Sequence, residues 1–201
     1  MGILDRVMRT TGLYDNLQPH FFDAMVVPFA TIGQINAAEL RFLARITRNL
    51  EDDGPIVEIG ALFGRTALMM AANKKENQRL ITVDDFSWNP CGFSPDQHRR
   101  ITRSVLADAV EGLDVDLLDM EKQAFYDGYD GPPPAMVFLD AMHSYEATLQ
   151  DITWAQSVGA KVICGHDYCA DWPGVIQSVD ESGGVAEIVE SLWLLKDVRQ
   201  D

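Results

Sequence analysis

A chain of 201 residues is the size of one domain with a substantial core. Its composition, 47% hydrophobic and 23% charged, is that of an ordinary globular protein, but its formal net charge of -15 would repel phosphate backbones and disfavours nucleic acid as a partner. No apolar run reaches the ~20 residues of a membrane span. Met1–Asn16 has mixed charges and no long apolar stretch, so it does not read as a secretory signal. The three cysteines, Cys91, Cys164 and Cys169, contain no CxxC pair; they argue against a disulfide framework or a four-cysteine zinc site and fit the reducing cytoplasm.

Met1–Gln34 carries the apolar cluster Phe21, Phe22, Met25, Val26 and Val27. Residues 1–35 are therefore expected to form a helical cap or the contact surface of a homo-oligomer, with the domain proper over 36–201. Asn36 followed by Glu39 fits a capping box, and Leu40, Leu43, Ile46 and Leu50 continue at helical spacing. A turn at Glu51–Pro55 leads into a first strand, Ile56–Ile59, a glycine turn and a helix from Thr66. Leu80–Val83 reads as a second strand. After a loop with Trp88, Pro90, Gly92 and Pro95, a helix is expected from Asp96 to Val110, capped by Ser94 or Asp96. Val115–Leu118 is a weak third strand, Met136–Leu139 a fourth and Val162–Cys164 a fifth. Helices are expected over Tyr145–Val158 and from Pro173 to Glu181, and the tail Val185–Leu195 reads as two short strands.

Short apolar strands alternating with helices predict an α/β fold, with a mainly parallel sheet covered on both faces. Ligands of such sheets bind outside the carboxyl ends of the strands. Polar groups are expected at four of these ends: Glu58 after strand one, Asp84 after strand two, Asp140 after strand four, and His166 with Asp167 after strand five. Each has an ordinary explanation alone, as a helix cap or a hydrogen-bonded core residue. Carboxylates gathered at one edge would repel one another unless a cation joined them, and oxygen donors with one imidazole suit Mg, Mn or Fe(II). In the turn, Gly60 and Gly64 remove side chains that would block a ligand, but the spacing is Gly60-x-x-x-Gly64 and lacks the middle glycine of a dinucleotide fingerprint. Asp84, ~20 residues beyond, stands where a carboxylate grips ribose hydroxyls. A ribose carboxylate without a diphosphate cradle points to a nucleoside such as S-adenosylmethionine.

The segment V-E-I-G-A-L-F-G-R-T resembles motif I of class I S-adenosylmethionine-dependent methyltransferases, and L-I-T-V-D-D-F resembles their second strand. F-L-D-A-M-H-S-Y-E (Phe138–Glu146) and V-I-C-G-H-D-Y (Val162–Tyr168) are similar to the subfamily of macrolide-sugar O-methyltransferases and cephalosporin-hydroxylase-like proteins. The resemblance implies a single Rossmann-like sheet of seven strands, the last antiparallel and inserted beside strand five. It implies that Glu58, Gly60, Ala61 and Gly64 line the methionine end of the cofactor, that Asp84 binds ribose, that Asp119 and Met120 flank the adenine, and that Asp140 borders the cofactor while holding Mg with His166 and Asp167. His166 departs from the acid many relatives carry there. The activity so implied is methyl transfer to a hydroxyl of a small-molecule acceptor, with Asp140 and His143 as catalytic residues and His143 as base. A metal-dependent hydroxylase or hydrolase on the same scaffold, and a non-catalytic nucleoside-binding protein, are the alternatives.

Overall fold

The computed structural model describes residues 33–88 and 91–196. The apolar cluster at Phe21–Val27 and nearly all of the expected N-terminal cap lie outside these residues. Thirteen elements follow in chain order: α1 (Ala37–Arg48), β1 (Ile56–Ile59), α2 (Arg65–Ala71), β2 (Leu80–Asp84), α3 (Pro95–Gly112), β3 (Val115–Asp119), α4 (Lys122–Gly128), β4 (Met136–Leu139), α5 (Tyr145–Ser157), β5 (Val162–Gly165), α6 (Pro173–Glu181), β6 (Val185–Val189) and β7 (Leu192–Leu195). The strands form one seven-stranded sheet of order β3-β2-β1-β4-β5-β7-β6. β1 to β5 pair in parallel, and β7 runs antiparallel between β5 and β6. This is the predicted α/β architecture, with the inserted final strand. Among the described residues, no helix is long and apolar enough to cross a membrane.

Local signals start the helices where they were expected. Asn36 Oδ1 accepts the backbone N–H groups of Ala38 and Glu39, and Glu39 returns a bond to the Asn36 amide, closing a capping box. Ser94 and Gln97 do the same for α3, with Pro95 in the first turn; Ser94, not Asp96, is the cap. α4 was not foreseen. It has only seven residues and no side-chain cap, and it forms because Phe125 and Tyr126 bury themselves against the sheet.

Each central strand is buried on both faces, so consecutive residues serve opposite cores. Ile56, Met136 and Phe138 join the core beneath α1, α2 and α3, whereas Val57, Ile59, Val137 and Leu139 join the one beneath α4, α5 and α6. Glu58 therefore projects into the first core, in register with Thr82 and Phe138.

Beyond β1 the chain turns abruptly. Gly60 has φ +98°, Leu62 +47° and Gly64 +83°. The two glycines are required by neighbouring protein atoms. A Cβ on Gly60 would stand 2.1 Å from the Asp140 carbonyl oxygen, and one on Gly64 would stand 2.8 Å from Leu106 Cγ. Gly60→Ala should therefore cost about 3 kcal/mol or more, combining left-handed strain with overpacking against backbone. Urea unfolding measures this, and a variant as stable as the parent would contradict the turn's geometry.

Candidate active site

The carboxyl edge of the sheet opens into a crevice of about 620 Å³, within the range of small-molecule sites. One wall is the β1–α2 turn, lined by Gly60, Ala61, Leu62 and Phe63, with Asp84 and Asp85 at the end of β2 and Met120 after β3. The opposite wall is built from Asp140–Ser144, Asp167 and Trp172. Of the predicted cofactor residues, Gly60, Ala61, Asp84, Met120 and Asp140 line this space.

Three others do not line it. Glu58 is fully buried and receives the hydroxyls of Thr66 and Thr82. Those two donors supply the compensation that a ligand had been expected to provide. Gly64 packs under Leu106. Asp119 turns toward α3, where its Oδ2 lies 2.5 Å from Arg99 Nε and 3.1 Å from Arg103.

The amides of the turn are also committed. Asp84 Oδ2 accepts the N–H groups of Ala61 (2.8 Å) and Leu62 (2.9 Å), while Oδ1 accepts that of Phe86 (2.7 Å). Gly60 donates to Val83 and Gly64 to Ala61. No phosphate cradle of free amides is offered by these groups, in agreement with the missing middle glycine. Asp84 caps the turn and, with about four acceptor positions on a carboxylate, retains one for a ligand in the crevice.

On the opposite wall the structure brings together all the residues predicted to hold a metal or act in catalysis. Asp140, His166 and Asp167 can each turn one ligand atom toward the others within 4.8 Å. His166 Nδ1 is 3.3 Å from Asp167 Oδ1 and 3.8 Å from Asp140 Oδ1. His143 Nε2 is 2.7 Å from Asp167 Oδ2 and 3.8 Å from Asp140 Oδ1. These contacts are close in charge but poorly aligned: His143 Nε2, His166 Nδ1 and Asp167 Oδ2 are buried, and none has a well-directed hydrogen bond. Buried polar atoms are normally satisfied. Two carboxylates and an imidazole nitrogen converging without aligned bonds fit a cation held by Asp140, His166 and Asp167.

His166 itself does not line the crevice. It is 5% exposed and sits behind the two acids. Its Nε2 faces Glu39 Oε1 at 3.2 Å, and the same oxygen accepts the Ser191 hydroxyl (2.7 Å) and amide (3.0 Å). Trp193 Nε1 donates to the His166 carbonyl, tying this end of β5 to β7. Glu39 was legible only as a helix cap. No local signal marks a contact with a histidine 127 residues away. The ring of His143 packs on Trp172, with centroids 4.6 Å apart. Backbone strain gathers here too: of the five non-glycine residues with positive φ among the described residues, Leu62 and Asp167 line the crevice and Phe86 adjoins it.

Burial alone would lower the pKa of His143 and of His166. The Asp140 and Asp167 carboxylates outweigh it, and both imidazoles are pushed up to about 9. Asp167 moves the other way: burial would raise it, but the two histidines hold it well below the usual carboxylate range. Burial pushes Glu58 up to about 8, against the pull of the two threonine hydroxyls.

Residues 57–168, more than half of the chain, match the family described as a methyltransferase domain. The chain belongs to this methyltransferase-domain family. With its strand order, it is a class I methyltransferase, the fold of S-adenosylmethionine-dependent enzymes. An O-methyltransferase from Bacillus cereus, in complex with S-adenosylhomocysteine, shares the fold at a TM-score of 0.61 and 16% identity, over 92% of this chain and 96% of that one. The O-methyltransferase TomG from Streptomyces achromogenes, involved in tomaymycin synthesis and in complex with S-adenosylmethionine, matches at 0.57 and 19%, over 90% and 85%. No curated protein matches by sequence.

The titrations of the metal-free methyltransferase point in one direction. A histidine raised to about 9 from ~6.5 contributes stability that is complete below ~6.5 and lost as pH rises through about 9. Glu58 stays protonated in the fold while the unfolded chain ionises near ~4.3, so it also lowers stability between there and about 8. Asp167 adds stability that is lost only on acidification below ~3.9. With chelator present, the melting temperature should fall from pH 5 to pH 9, and Glu58→Gln should remove part of the fall. A melting temperature that rises over this interval would refute the assignment.

Proposed function

We propose that this methyltransferase moves the methyl group of S-adenosylmethionine to a hydroxyl of a small-molecule acceptor, with a divalent cation assisting. The observation that carries the proposal is the meeting, in one crevice, of a turn capped by Asp84 with Asp140, His143 and Asp167, backed by the buried His166, where His143, His166 and Asp167 carry atoms without aligned bonds. Two proteins of the same fold hold S-adenosylmethionine or its demethylated product, which supports the choice of donor. When bound, S-adenosylmethionine supplies the methyl on a sulfonium, and a cation supplies Lewis acidity toward the acceptor hydroxyl.

The chain's own residues divide the work. Asp84 keeps one acceptor position for the ribose, and Met120 provides an apolar contact for the adenine from the adjoining strand end. Asp140 borders both halves of the crevice: its backbone packs on Gly60 and its carboxylate faces His143. Asp140 and Asp167 present oxygens from one side and His166 a nitrogen from behind. His143, at the crevice wall, takes the proton of the acceptor hydroxyl. While the two acids are otherwise unneutralised, its raised pKa keeps it protonated at neutral pH, so proton removal requires positive charge beside those acids. Trp88 and Met142, both well exposed, and Trp172 stand at the mouth of the crevice and offer apolar surface to an acceptor. The motifs Phe138–Glu146 and Val162–Tyr168 support the narrower likeness to the subfamily of macrolide-sugar O-methyltransferases and cephalosporin-hydroxylase-like proteins.

Release of S-adenosylhomocysteine from S-adenosylmethionine, measured with phenolic and polyhydroxylated acceptors with and without divalent cations, tests the activity. Asp140→Ala should abolish cation-dependent turnover while keeping affinity for S-adenosylmethionine within about tenfold, roughly 1.4 kcal/mol. Full turnover by this variant would end its assigned role. Asp84→Asn preserves an acceptor for the Ala61 and Leu62 amides but removes the charge. It should weaken S-adenosylmethionine by roughly 1–3 kcal/mol in calorimetry, and unchanged affinity would move the ribose site elsewhere.

A further inference from the structure

Magnesium favours oxygen ligands in near-octahedral array and keeps much of its water, whereas imidazole suits iron, nickel, copper and zinc; manganese, the oxygen-preferring start of the first-row series, is the most demanding test of a nitrogen donor. The imidazole at this site is built in from behind. His166 is 5% exposed, and its Nε2 is tethered to Glu39 Oε1 and lies 2.9 Å from Ser191 Oγ. Nδ1 is left toward Asp140 and Asp167, without an aligned partner. Glu39 is itself fixed from two further directions. Its Oε2 accepts the Asn36 amide at 2.8 Å, and its Oε1 accepts both Ser191 donors. Carboxylates that orient the far nitrogen of a ligating histidine, and so fix which nitrogen it presents, are a recurring feature of metal centres. A second imidazole nitrogen, His143 Nε2, stands against Asp167 with no aligned bond of its own.

We propose that this site selects a first-row transition-metal ion over magnesium, through the His166 Nδ1 donor, and that Glu39 is the positioning residue that holds that donor in place. The inference rests on the cation-assisted part of the proposed function and deepens it. Glu39 would then serve twice, closing the cap of α1 and bracing the site from the opposite end of the chain.

Calorimetry on chelator-stripped protein with manganese(II) and magnesium(II) tests the selection. Manganese should bind at least roughly 100-fold more tightly than magnesium, and His166→Asp, which offers only oxygen, should shrink that ratio at least tenfold. Glu39→Gln keeps one oxygen, for either the Asn36 amide or Ser191, turns an NH2 donor toward the other, and loses the charge opposite His166. It should cost roughly 10–100-fold in manganese affinity while leaving S-adenosylhomocysteine affinity little changed, and the lost acceptor should lower the metal-free melting temperature. Magnesium bound as tightly as manganese would overturn the selection. A lowered melting temperature with undiminished manganese affinity in Glu39→Gln would reduce Glu39 to a structural cap. If the parent protein binds neither cation yet still binds S-adenosylhomocysteine, cation assistance itself fails and the methyl-donor site stands.

Discussion

The backbone of Gly60 lies against the backbone of Asp140, closer than any side chain would permit. β1 and β4 are neighbours in the sheet, and their ends leave it side by side: the Asp140 amide donates to Ile59 and the Gly60 amide to Val83. This contact joins the two halves of the crevice. On one side the chain bends through Ala61 and Leu62 under the carboxylate of Asp84. On the other it carries Asp140 toward His143 and Asp167. Separating the two ends would pull the wall that carries Asp84 away from the wall that carries Asp140, so the shape of the crevice depends on a glycine whose role is to be small.

Negative charge at the sheet edge is handled in three different ways. Glu58 is neutralised by staying protonated between Thr66 and Thr82, deep in the core. Asp119 is neutralised by Arg99 and Arg103 on α3, at the protein surface. Asp140 and Asp167 have only the two imidazoles, and those contacts are misaligned. Glu58 and Asp119 each have side-chain donors of their own, although Arg99 Nε is poorly aligned on Asp119. Among the described residues, the third arrangement leaves several buried atoms at one point without aligned partners, the state expected of a site completed by a further group.

Much of this was legible in the sequence because it is local. Apolar runs of four or five residues, glycine punctuation and acids after strands are properties of contiguous segments, and they led to the parallel sheet and the meeting of Asp84, Asp140 and Asp167, while the inserted final strand and the place of His143 followed from the family resemblance. α4 escaped because a seven-residue helix without a cap depends on what Phe125 and Tyr126 touch, not on its own propensity. Glu58 was misplaced by one position: it is the penultimate residue of β1, and the alternation of a strand sends it into the core, away from the crevice.

The amino-acid order by itself placed Asp84, Asp140 and Asp167 at the carboxyl edge, since strand endings are written in neighbouring residues. Tertiary structure alone decided which polar groups there remain available. Glu58 found two hydroxyls, Asp119 two guanidinium groups and the turn amides a carboxylate, whereas Asp167 met His143 and His166 without aligned bonds, and His166 turned its other nitrogen to Glu39 and Ser191. Whether a polar atom has a partner depends on chains brought together from as far apart as Glu39 and Ser191, and hydrogen bonding is satisfied by proximity in space, which no spacing along the chain records.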